Sequence, residues 1–159
     1  MNFDRACARK EGNMPITNGA RAEFVCDTVG RSLTVYIRGE IDHHTAASIR
    51  QGIDALLFER RPERLVLDLS AVGFMDSSGL GLIMGRYSVM KELGGELVVY
   101  NPCRETWTIL TLAGMERIIR IEFPPDHIPP AGAKGKRGTT RAVNATRKTP
   151  QIRKKEKDA

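Results

Sequence analysis

Aromatic residues are scarce in this 159-residue chain: they make up 6% of it, with a single Trp, and none lies beyond Phe123. The last 36 residues therefore have no Phe, Trp or Tyr ring on which unpaired bases could stack. Cysteine is rarer still. Cys7, Cys26 and Cys103 are odd in number, far apart and form no CxxC pair. That argues against a disulfide framework and a cysteine-based zinc site, and fits a reducing cytoplasm. No apolar run approaches the roughly 18 residues of a membrane span, so no transmembrane helix is expected. Met1–Arg5 lead into polar residues in place of an apolar stretch, so no secretory leader is expected, and Met14 is an alternative start.

Acidic residues are outnumbered in one part of the chain only. The chain carries 25 Lys and Arg against 19 Asp and Glu, a formal charge of +6. Residues 1–123 hold 15 basic and 16 acidic side chains, whereas residues 124–159 hold 10 and 3. The basic pI of 9.5 belongs to the last 36 residues and implies no anionic partner for the rest.

What is present is a change of period along the chain. Ala22, Phe24 and Cys26 alternate as a weak first strand, and Leu33, Val35 and Ile37 as a clearer second one, with Val29-Gly30-Arg31 turning between them. Ala46, Ile49, Ile53, Leu56 and Leu57 then follow helical spacing, with Thr45 as the expected N-cap and Pro62 beyond the end. Leu65–Leu69 reads as a central strand buried on both faces. Leu80, Ile83, Met84 and Tyr87 mark a second helix, closed by Gly94-Gly95, and Leu97–Tyr100 another strand. Asn101-Pro102 is expected to open a third helix through Trp107 and Leu110, and Ile118–Phe123 to form the last strand.

The expected order is β-β-α-β-α-β-α-β, a single α/β domain over residues 21–123 with a mixed sheet covered by helices. Residues 1–20 lack clear periodicity and are expected to be a flexible extension. After Phe123, four of the eight prolines fall within seven residues, and a basic segment with almost no large aliphatics follows. Residues 124–159 are therefore expected to be a disordered tail.

Several chemistries fail on spacing. A nucleophile elbow needs Gly two residues either side of its serine, but Ser77 is flanked by Met75 and Gly79, and Ser78 by Asp76 and Leu80. Gly79-Leu80-Gly81 starts neither a P-loop nor a dinucleotide fingerprint, since Met84 stands where a third glycine is required. His43-His44 have no further ligands at zinc spacing and read as solvated side chains. No enzyme, metal site or cofactor is expected.

Asp76-Ser77-Ser78-Gly79 remains, between a strand and a helix. One reading makes Asp76 or Ser77 a plain helix cap. The other makes Ser78, in the first turn, a modification or docking site, since helix N-termini accommodate phosphate and Ser77, Gly79 and Gly81 permit close approach.

The stretch Phe74–Tyr87, with its Asp-Ser-Ser-Gly-Leu-Gly core, resembles the signature of the anti-sigma factor antagonists of the STAS-domain family, most nearly the sporulation type. Gly39–Ala46, Gly94–Val99 and Gly114 with Ile118–Arg120 match the same pattern, so the resemblance spans roughly residues 21–123. It implies a partner switch. The unphosphorylated antagonist would bind an anti-sigma factor that is also a serine kinase, freeing a sigma factor. Phosphorylation of Ser78 would end the complex, and a serine phosphatase would restore it. The implied partner surface comprises Asp42, Thr45, Asp76, Ser77, Ser78, Gly79 and Gly81. The family usually ends in a further helix, which Pro124, Pro125, Pro129 and Pro130 disfavour here.

Two other readings stay open at this level. One keeps the fold but sets it in a general stress-response circuit or as a phosphorylation-independent scaffold. The other gives the basic tail weak, salt-sensitive binding to anionic polymers, with no DNA contact by the folded domain.

Overall fold

The computed structural model describes residues 22–127 and Pro129; the expected N-terminal extension and nearly all of the basic tail lie outside these residues. Five strands and three helices alternate as expected: β1 Ala22–Val29, β2 Ser32–Ile41, α1 His43–Arg60, β3 Arg64–Met75, α2 Ser77–Glu92, β4 Glu96–Tyr100, α3 Arg104–Leu112 and β5 Arg120–Glu122. The sheet runs β1-β2-β3-β4-β5 in sequence order. β1 and β2 form an antiparallel hairpin closed by Gly30-Arg31, and every later pair is parallel across a helix.

Burial follows the strand period of two. Leu33 and Val35 of β2, Leu65, Leu67 and Leu69 of β3 and Val99 of β4 are fully buried. Ile53 and Leu57 of α1 and Met90 of α2 belong to the same core. Each such side chain contributes about 1.5–3 kcal/mol by leaving water. Val66 and Asp68 are only half-buried, although Val98 beside Val66 is fully buried, so β3 is not, as the apolar run suggested, buried on both faces to the same degree.

Local chemistry corrects several boundaries. Asp42, not Thr45, caps α1; Thr45 is the third helical residue and completes a capping box. At the other end Arg61 turns left-handed (φ 42°) and its N–H reaches the Leu57 carbonyl, ending the helix before Pro62. Asn101-Pro102 does not open α3: Asn101 is left-handed (φ 49°), and Cys103 holds the cap position. β5 starts later than expected because the Ile118 and Ile119 N–H groups still donate to the Met115 carbonyl, closing a 3₁₀ turn over Met115–Arg117.

The largest correction concerns β3. Its pairing with β4 ends at Asp68 and Tyr100, yet the strand continues to Met75 along β2, with two irregularities of register. Beyond β4 its backbone needs other partners, and α3 supplies them: the Cys103 thiol donates to the Val72 carbonyl at 3.0 Å, with the Thr106 hydroxyl 3.5 Å away. After β5, Phe123 packs edge-on to Trp107 (5.6 Å between centroids) and His127 stacks on Phe123. These rings flank the last strand where a helix was disfavoured.

Candidate functional site

The extension of β3 decides where the serines lie. Ile41, the last residue of β2, pairs with Met75, the last of β3. One residue further on each strand, Asp42 and Asp76 cap α1 and α2, and the Asp76 N–H donates to the Ile41 carbonyl at 3.2 Å. Two loop-to-helix junctions thus lie side by side at one end of the sheet, bringing together segments 34 residues apart.

In the first junction the Asp42 carboxylate accepts from the His44 and Thr45 N–H groups, both at 2.9 Å. The Thr45 hydroxyl accepts from the Asp42 N–H at 2.8 Å and donates to the Glu40 carbonyl at 2.9 Å. The Thr45 N–H is the main reason that the Asp42 carboxyl titrates below its ordinary value of 3.8. Its charge also suits the positive end of the α1 dipole. His43 and His44 lie edge-on to each other and exposed. Among the described residues no group of three His, Cys, Asp or Glu side chains could hold a metal ion.

In the second junction the Asp76 carboxylate accepts from the Ser78 N–H at 2.8 Å. Ser77 is exposed and Ser78 half-buried at the first and second positions of α2, and neither hydroxyl is bonded to a described residue. Gly79 lies beneath them. A Cβ there would stand 2.1 Å from Met75 Cγ, so the helix start seats on Met75 only with glycine. Gly81 differs, being exposed with open space where a Cβ would go.

All seven residues singled out in the sequence therefore belong to one end of the molecule, in two layers. Asp42, Asp76, Ser77, Ser78 and Gly81 reach the surface, whereas Thr45 (3% exposed) and Gly79 are buried and shape the junctions from below. Sequence reasoning passed over Phe74 as a site residue. It lies on β3 opposite Glu40 and is 51% exposed at the same end of the sheet. The clue was available: a Phe beside the buried Met75 must point the other way on a strand.

The STAS-domain family pattern matches residues 23–126, nearly the whole described region. An anti-sigma F factor antagonist from Paenibacillus polymyxa is 39% identical over 89 residues, 56% of this chain and 76% of that protein. An anti-sigma-B factor antagonist from Listeria monocytogenes is 28% identical over 57% of this chain and 78% of its own length. Among solved structures, the anti-sigma factor antagonist SpoIIAA in its unphosphorylated form superposes with a TM-score of 0.58 at 25% identity, covering 65% of this chain and 89% of SpoIIAA. The phosphorylated form of Bacillus SpoIIAA gives 0.54 at the same identity, covering 65% and 92%. With the family pattern spanning most of the chain, and a relative 39% identical over three-quarters of its own length, the chain belongs to the STAS-domain family, among its anti-sigma factor antagonists.

Proposed function

We propose that this chain works as a phosphorylation-controlled partner switch in the bacterial cytoplasm, of the sporulation type. Unphosphorylated, it binds an anti-sigma factor with serine kinase activity through the surface formed by Asp42, Asp76, Ser77, Ser78 and Gly81, and a sigma factor is released. Phosphate transfer to Ser78 breaks the complex, and a serine phosphatase resets it. The observation that carries this reading is the position of Ser78: a hydroxyl bonded to no described residue, at the second residue of α2 and beside the Asp42 junction. That a structural relative exists in a phosphorylated form supports it.

The physics of the switch is local. Phosphorylation adds about −1.5 to −2 charges and three acceptor oxygens. A unit charge opposed at 4 Å costs on the order of 4 kcal/mol at an effective dielectric of 20. A third of that weakens binding about tenfold. Asp42 and Asp76 make this end more negative still. Glycine in a helix interior costs about 0.5–1 kcal/mol relative to Ala, and nothing within the fold requires it at Gly81. Close approach by a partner would account for it. The exposed ring of Phe74 adds an apolar contact at the rim.

Ser78→Ala and Ser78→Asp proteins test the reading against the cognate anti-sigma kinase by calorimetry. The alanine variant is expected to bind within about threefold of the parent and to resist modification, and the aspartate variant to bind at least tenfold more weakly. Equal binding by both variants would contradict it. The similarity to an anti-sigma-B antagonist supports a second reading, the same switch in a general stress-response circuit. Which sigma factor is released in a reconstituted mixture separates the two.

A further inference from the structure

Among the described residues, Arg86 is the one charged side chain in the buried class, at 5% exposure. It lies on α2, whose other buried positions are Gly79 and the apolar Leu82, Ile83 and Met90. Its Nε stands 2.8 Å from Oδ1 of Asp54 on α1, itself only 30% exposed. Nevertheless, Nε and Nη1 find no acceptor in hydrogen-bond geometry. Burial lowers the Arg86 pKa, Asp54 opposes that shift, and the Arg50 charge adds to it. A buried ion pair of this kind is weak support for stability, since apolar side chains of similar volume often do as well or better. Its geometric demand is another matter. Apolar contacts are non-directional, whereas a buried charge held 2.8 Å from its counter-charge costs free energy whenever the two separate.

The arrangement it holds concerns the Ser78 site. α1 and α2 are already joined where they start, by the Ile41–Met75 pairing and the Asp76 N–H to Ile41 carbonyl bond. Their far ends meet as well, where the Glu96 N–H after α2 donates to the Glu63 carbonyl after α1 at 2.9 Å, and between the two ends the Arg86–Asp54 pair links the helices directly. Asp54 lies about 18 Å along α1 from Asp42, and Arg86 about 15 Å along α2 from Asp76, at 1.5 Å per residue. A direct link at that distance bears on the crossing angle, and with it on how the first turns of the two helices face each other.

We infer that the Arg86–Asp54 pair is a positioning device that sets the relation between the Asp42 junction and Ser78, and so the shape presented to the partner. Its last step rests on the function proposed above; the positioning itself does not. The Arg86→Met/Asp54→Leu double variant removes both charges and leaves neither orphaned. Its thermal midpoint is expected to stay within a few degrees of the parent or to rise. In amide NMR spectra, which need no partner, the signals of residues 42–45 and 76–79 are expected to shift or broaden, while those of β1 stay in place. Affinity for the anti-sigma kinase should fall about tenfold.

Unmoved junction amides in the double variant would overturn the inference, and so would moved amides with affinity within twofold of the parent. If the double variant does not fold, Asp54→Asn, which keeps shape and an acceptor while removing charge, decides by the same spectra. A parent protein that binds no anti-sigma kinase would defeat the proposed function alone, because the spectra still report on positioning.

Discussion

Gly79 and Gly81 stand two residues apart on α2 and are glycine for different reasons. At Gly79 the obstacle is internal: a Cβ would meet Met75 Cγ at 2.1 Å and Sδ at 2.6 Å, and Met75 is itself 1% exposed. Gly79→Ala is therefore expected to cost about 1–3 kcal/mol, the usual penalty for overpacking. At Gly81 a Cβ meets nothing, so Gly81→Ala is expected to stabilise the fold by about 0.5–1 kcal/mol while weakening the partner complex. Urea denaturation of the two variants beside a binding titration checks both statements. Stabilisation by Gly81→Ala with undiminished affinity would remove that residue from the proposed surface.

The elements that carry the site are capped by carboxylates, and this gives α1 a pH signature. Asp42 titrates below its ordinary value in the folded chain, chiefly because the Thr45 N–H bonds to the charged form. A depressed carboxylate contributes stability that is fully present above the unfolded pKa, near 4, and is lost as pH falls through the lower folded value. Asp42→Asn keeps an acceptor but has no charge to lose. The parent is expected to have the higher denaturation midpoint at neutral pH, and the difference to close below about pH 4. A difference that persists unchanged to pH 2 would contradict the capping account.

Much of this element structure was legible because local patterns and global packing agree. Alternation in Leu33–Ile37 and helical spacing from Ala46 to Leu57 both point inward to the same core. The misreadings fall where a non-local partner decides. Thr45 looked like a cap because both Thr and Asp can serve, and only the chain's entry from β2 puts Asp42 there. The length of β3 could not be read from residues 70–75, since the Val72 carbonyl is satisfied by Cys103 and Thr106 at the start of a helix some 30 residues later. The serine junction was legible as a motif, but its nearness to Asp42 depends on that same extension.

For the whole molecule, charge and the family pattern divide the chain in nearly the same place. The STAS pattern ends at residue 126, close to where the nearly neutral stretch gives way to ten basic residues. Any attraction to anionic polymers should therefore reside in the basic residues beyond the family pattern and fall steeply with salt. Retention on DNA by the full chain and by residues 1–129 is expected to differ at low ionic strength and to converge at high. Equal retention throughout would place the attraction in the domain. Arg86 and Asp54, by contrast, have their proposed effect within it, through the angle between two helices.

The central claim is that one phosphate on Ser78 is the difference between bound and free. The direct measurement incubates the full chain with its anti-sigma kinase and ATP, maps the phosphate by mass spectrometry, and titrates the purified modified and unmodified forms against the kinase. Phosphate on Ser78, with affinity at least tenfold lower in the modified form, is the predicted result. Phosphate confined to Ser77, or a Ser78-phosphorylated protein that binds as tightly as before, would contradict it.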